Sequence, residues 1–123
     1  MNSEVRSSQR TTINLPPEDE LASQIEHAEE FKDLRPLRQY KFAEYHGRKF
    51  AFDFCWPQSM VAVEVDGGTT KKGGGRHNRA KGYRKDTEKL NLAGQMGWTV
   101  YRYVSQDIYN GTALKDLKRI FAQ

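Results

Sequence analysis

Asp53, Glu64 and Asp66 lie in two short apolar segments, Phe-Ala-Phe-Asp-Phe at 50–54 and Met-Val-Ala-Val-Glu-Val-Asp at 60–66. A carboxylate among apolar neighbours is costly to bury unless a partner compensates its charge. Three acids at this spacing can share one divalent cation. Mg²⁺ takes oxygen ligands and keeps several waters, so two or three carboxylates suffice; Mn²⁺ suits the same oxygen donors. Asp53 and Glu64 are the principal candidate ligands, Asp66 assists, and the backbone carbonyl of Val65 is a further candidate. Directly behind them, residues 67–89 hold eight basic and two acidic residues, a local charge of +6 in a chain of formal net charge +4. Hydrolysing a phosphodiester needs a positioned water, charge stabilisation at phosphorus and help for the leaving oxygen, and a carboxylate-held cation can supply all three.

The basic residues are Lys71, Lys72, Arg76, Arg79, Lys81, Arg84, Lys85 and Lys89. A focused basic patch implies a polyanionic partner, above all nucleic acid, whereas a solvated face of no consequence is the bland alternative. The five glycines within residues 67–78 let the first of these side chains follow a phosphate backbone. Such contacts give affinity and positioning rather than sequence choice. Gly73-Gly74-Gly75 is not followed by Gly-Lys-Ser/Thr at the spacing of a phosphate loop, so no nucleotide triphosphate is implied. Cys55 is the only cysteine, which excludes an intrachain disulfide and a cysteine-rich zinc site; it reads as a buried structural thiol. His27 and His46 read as structural or incidental, and Trp56 and Trp98 as packing anchors.

These side chains need a scaffold. At 123 residues the chain suits one domain, at 15–123, behind a polar tail at 1–14. That tail lacks the apolar run of a signal peptide, and no stretch approaches a transmembrane span, so the expectation is a cytoplasmic protein with no membrane partner. Pro16-Pro17 followed by acids predicts a helix ending before Pro36, with Leu21, Ile25, Ala28 and Phe31 as its apolar stripe. Strands are predicted at 37–45, 48–55 and 60–65, with turns at His46-Gly47 and 57–59. Alternation puts Phe50, Phe52 and Phe54 on one face and Ala51 and Asp53 on the other. Residues 67–78 read as a loop. A helix follows at 79–96, with Tyr83, Leu90 and Ala93 inward and Gly97 as its cap, then a strand at 99–104 and a helix over 107–122. Meandering strands pair antiparallel, and a strand reached through a helical crossover pairs parallel. The fold class is therefore α/β, a small mixed sheet flanked by helices.

The chain resembles the PD-(D/E)xK nuclease superfamily, whose restriction-endonuclease-like core runs α-βββ-α-β. Within it the chain is similar to small phage and bacterial endonucleases related to very-short-patch repair nuclease and Holliday-junction resolvases. The carrying segments are RKFAFDFCWP at 48–57, VEVDGGT at 63–69, GRH at 75–77, GYRKDTEKLN at 82–91 and GWTVYR at 97–102. The resemblance covers about residues 18 to 104. It implies that Asp53 and Glu64 are metal ligands. It also implies an acid on the first helix, for which Glu20 is the first candidate, Glu18 the second and Glu26 the third. His77 would be a general acid or phosphate contact. The superfamily usually places lysine two residues after the glutamate, where this chain has Asp66. Lys89, on the following helix, can bring an amine to the same place; its plainer reading is an ion pair with Asp86. Asn91 lies near the same face. A phage origin, and with it the cytoplasm of a host cell, is suggested by the resemblance alone.

The function expected is a Mg²⁺- or Mn²⁺-dependent endonuclease acting on DNA, on a branched, mismatched or otherwise structured substrate. A homodimer would be one way to cut both strands. The first rival is a non-catalytic nucleic-acid-binding module on the same fold. The second is a basic RNA-binding or assembly protein whose acids neutralise internal arginines.

Overall fold

The computed structural model describes residues 15–66 and 76–123, the side chains of 76–80 excepted. The expected tail at 1–14 and the glycines at 67–75 lie outside the described residues. Pro17–His27 forms α1, with proline in the first turn and Glu18, Asp19 and Glu20 at the positive end of the helix dipole. Ala28 turns extended and stops the helix, and one 3₁₀ turn, Glu29–Phe31, carries Phe31 into the core.

Leu37–Tyr40 (β1), Phe52–Trp56 (β2) and Val61–Asp66 (β3) form an antiparallel meander. Thr99–Val104 (β4) lies parallel to β3, and the helix Arg76–Gln95 (α2) makes the crossover such a neighbour requires. The sheet order is β1-β2-β3-β4. Ser105–Tyr109 (α3) and Thr112–Phe121 (α4) follow. The architecture is α/β, a four-stranded mixed sheet with helices on both faces. Among the described residues no helix is long and apolar enough to cross a membrane.

The two faces of the sheet carry separate cores. On one, Leu21, Ile25, Ile108 and Leu117 from α1, α3 and α4 pack against Phe54, Trp56, Val61 and Val63. On the other, Ala93 of α2 packs with Phe42, Phe52, Cys55, Ala62 and Trp98. Each large side chain buried this way contributes about 1.5–3 kcal/mol. Phe42 stacks on Phe52 at 3.9 Å between ring centroids, and Trp98 meets Phe52 edge-on at 4.9 Å. The Trp56 indole N–H donates to the Leu34 carbonyl at 2.9 Å. Both tryptophans are packing anchors.

Several boundaries differ from those the sequence predicts. β1 ends at Tyr40 because Gln39 adopts a left-handed backbone (φ 51°) and the chain then enters a 3₁₀ turn, Glu44–His46, closed by Gly47 at φ 71°. β2 accordingly begins at Phe52, not at 48. Phe50, Phe52 and Phe54 do not share a face: the first two pack with Phe42, while Phe54 joins the opposite core. Alternation breaks at the residue between Phe52 and Phe54, Asp53. α2 begins at Arg76, and Tyr83, expected inward, is 71% exposed. All of residues 81–85 are exposed, so this part of the helix stands clear of the sheet. The last helix is two, divided at Gly111 (φ 88°), where the Asn110 side chain accepts the Thr112 N–H at 2.9 Å. The cap at Gly97 is as expected: φ is 95°, and the Trp98 N–H reaches back to the Ala93 carbonyl.

Cys55 is fully buried, and burial pushes its thiol up to about 11. An unfolded thiol ionises near ~8.5, so between that pH and about 11 the unfolded chain holds fewer protons than the folded one. Cys55 therefore makes stability fall as pH rises through this window. A Cys55→Ala variant should lack that component in urea titrations, and the native thiol should resist a disulfide reagent at pH 8 until the protein is unfolded. Rapid labelling of the folded protein would contradict the buried placement.

Candidate metal centre

The β2–β3 ladder runs from Trp56↔Val61 to Phe54↔Val63 and stops there, one step short of Asp53 and Glu64. At that step side chains replace main-chain pairing. The Asp53 backbone N–H donates to Glu64 Oε2 at 3.1 Å, and the Val65 N–H donates to Asp53 Oδ2 at 2.7 Å. Each acid thus satisfies a backbone donor of the other strand. The exchange brings the two carboxylates together on neighbouring strands and pins one oxygen of each.

The remaining two oxygens are held from outside the hairpin. Lys89 Nζ on α2 donates to Glu64 Oε1 at 2.5 Å, with both side chains about seven-eighths buried. Gln39 Nε2 on β1 donates to Asp53 Oδ1 at 3.3 Å and to Glu18 Oε2 on α1 at 2.8 Å. Gln39 falls between the pairs Arg38↔Phe54 and Tyr40↔Phe52, and Glu64 pairs with Arg102 on β4. Gln39, Asp53, Glu64 and Arg102 therefore form one polar row across all four strands.

Burial raises the Asp53 carboxyl above the usual range; the Val65 N–H, Gln39 and Lys89 oppose this and the negative charge of Glu18 adds to it. Burial likewise raises Glu64, more strongly than Lys89 lowers it, with Asp53 adding to the rise. One ammonium therefore faces two desolvated carboxylates, an arrangement that a further cation would stabilise. Among the described residues no three His, Cys, Asp or Glu side chains gather closely enough to hold a metal ion by themselves. The two carboxylates nevertheless fit Mg²⁺ or Mn²⁺. Each oxygen spends one lone pair on a protein donor and keeps a second, the ligands are hard oxygens, and Mg²⁺ retains waters for its other positions.

The structure does not bring every candidate to this centre. Asp66 turns to β4: Arg102 Nη2 meets its two carboxylate oxygens at 3.0 and 3.1 Å and Asp86 of α2 at 3.0 Å. Asp66 is thus paired across the parallel ladder and is not brought together with Asp53 and Glu64. Glu20 is also elsewhere, since Gln24 donates both to it and to the Ile108 carbonyl, on the α3 side of α1. Glu18, the second choice, is the first-helix acid that reaches the row. Glu26 lies beside Arg35, which donates to its carbonyl, and both line a cavity of about 310 Å³ that the Asp53–Glu64 pair does not border. Lys89 does not pair with Asp86; both turn to the sheet, one to Glu64 and the other to Arg102. Asn91 is exposed.

Lys81, Arg84 and Lys85 are exposed along α2. Lys71 and Lys72 lie outside the described residues, and Arg76, His77 and Arg79 are placed in the first turns of α2 with side chains outside them. Two contributors escaped the sequence reading. Gln39 carries no charge and sits in a short strand, and Arg102 looks like any outward strand residue until β4 is set beside β3. The spacing of Arg102 within a strand reached through a crossover was the one available signal. No family model matches the chain, and it matches no curated protein and no solved structure.

Removing one partner of a buried ion pair strands the other, whereas neutralising both relieves the penalty. Lys89→Met should lower stability in urea by about 3 kcal/mol. Adding Glu64→Gln to it should restore most of that loss, because an amide still accepts the Asp53 N–H. A double variant as unstable as Lys89→Met alone would show that the pair is not what α2 contributes here.

Proposed function

We propose that this protein is a Mg²⁺- or Mn²⁺-dependent endonuclease that hydrolyses DNA phosphodiester bonds, acting on branched or otherwise structured DNA. The observation that carries the reading is the Asp53–Glu64 exchange with Lys89 set on Glu64. Two acids and an amine converge at the end of an opened ladder, beside a helix that exposes Lys81, Arg84 and Lys85. The strand and helix order α-βββ-α-β agrees with the PD-(D/E)xK resemblance. Lys89 offers an amine where Asp66 stands in place of the usual lysine.

In this reading Asp53 and Glu64 hold the ion, with the Val65 carbonyl as a further candidate ligand. When bound, the ion supplies charge stabilisation at the phosphate and a more acidic water. The chain's own residues do the rest. The Val65 and Asp53 N–H groups fix the two carboxylates before substrate arrives, so little reorganisation is left for the reaction. Lys89 supplies positive charge next to Glu64, where negative charge builds on the phosphate oxygens in the transition state. Lys81, Arg84 and Lys85, with the basic residues before them, take the phosphate backbone on either side of the scissile bond. His77 is the candidate proton donor.

The second reading is a nucleic-acid-binding module that does not cut. One observation favours it: all four oxygens of the acid pair already have a protein donor.

Supercoiled plasmid and a four-way junction, each with and without Mg²⁺, separate the two. The native protein should cut only with the ion. Asp53→Asn and Glu64→Gln should abolish cutting, and Lys89→Met should lower kcat by about 10²–10³-fold, all three with DNA binding retained. DNA binding without cleavage by the native protein would establish the second reading, and full activity in Glu64→Gln would exclude the first.

A further inference from the structure

Gln39 is a non-glycine residue in the left-handed region, inside a four-residue strand. That conformation is sterically unfavourable for a side chain bearing Cβ, and it persists only where surrounding contacts over-determine it. The contacts at Gln39 are specific. One amide nitrogen reaches Glu18 on α1 and Asp53 on β2, acids that repel each other across the space between helix and sheet. Its two N–H bonds are the only uncharged device among the described residues that ties these carboxylates together. Arg38, the preceding residue, meets Glu18 and Asp19 at 3.0 and 3.2 Å and so holds the α1 acids from the other side.

Asp53 has two oxygens to fix. The Val65 N–H holds Oδ2 and Gln39 holds Oδ1, so the carboxylate is braced from β3 on one oxygen and from β1 on the other, and rotation about its Cβ–Cγ bond would break both contacts. We infer that Gln39 is a positioning residue: its strained backbone aims an amide that sets the plane of Asp53 and draws Glu18 into the same row. The geometric part stands on its own. The consequence for metal affinity rests on the metal-centre reading above.

Two variants separate the side chain from the strain. Gln39→Gly removes the amide and relaxes the backbone; Gln39→Met keeps the length and removes the donors. In the metal-free protein, amide hydrogen exchange should quicken at Val65 in both variants and stay unchanged at Ala62 and Val63. Thermal stability of Gln39→Gly should equal or exceed that of the native protein. Calorimetric titration with Mn²⁺ should show affinity weakened about tenfold in both, the scale for losing a residue that orients a ligand. Unchanged exchange at Val65, or a rise shared equally by Ala62 and Val63, would overturn the role of Gln39. Absence of Mn²⁺ binding by the native protein would instead overturn the metal-centre reading, and the exchange result would still decide for or against Gln39.

Discussion

The sheet depends on how β2 and β3 part at Asp53 and Glu64. Antiparallel strands ordinarily satisfy each other's N–H groups with carbonyls. Here two of those donors are taken by carboxylates instead. An unmade backbone hydrogen bond in a half-buried place costs free energy comparable to a lost hydrogen bond. The acids are therefore part of the sheet's own hydrogen bonding, and the strands cannot close over them without orphaning the carboxylates. The same opening reverses the facing of Phe52 relative to Phe54, which lets Phe52 stack on Phe42 and serve the second core.

From that opening the charge balance follows. Two carboxylates at the boundary of the core need positive charge, and the chain supplies it from a distance in sequence. Lys89 arrives from the crossover helix, and Arg102 from the parallel strand draws Asp66 and Asp86 away into a network of their own. The negative charge near the opening is thus divided: Asp66 is compensated, while Asp53 and Glu64 share one ammonium and stay above their usual carboxyl range through burial. The two sets of acids thus differ in their surroundings: Asp66 and Asp86 meet a guanidinium at the sheet surface, while Asp53 and Glu64 meet backbone N–H groups and one ammonium in a half-buried place.

Much of this was legible in the sequence. Asp53 and Glu64 were recoverable because an acid inside an alternating apolar strand has few reasons to be there. The helix–meander–helix–strand order was recoverable from caps, turns and periodicity. What escaped was whatever depends on how elements are set against one another. Glu18 and Glu20 share the first turn of α1, and only the rotation of that helix over the sheet decides which one meets Gln39. Asp66 follows the same alternation as Glu64, but its partner stands on a strand reached only after residues 67–98, where strand pattern gives no register. Strand propensity makes β1 too long because Tyr40 and Phe42 are strand formers by type, while the left-handed Gln39 beside them is invisible to propensity. Helical periodicity points Tyr83 inward because it ignores where the sheet ends; the side chain is exposed.

The route by which Lys89 reaches Glu64 also bears on how the molecule comes into being. Asp53 and Glu64 are eleven residues apart, whereas Glu64 and its ammonium are twenty-five apart and joined only once the crossover has docked. Loop closure of that kind is the slower event, since its entropy must be spent before the contact returns anything. Until the crossover helix is docked, the β2–β3 hairpin holds two acids that face each other without their ammonium, so a contact within the hairpin is completed only by one that spans the crossover.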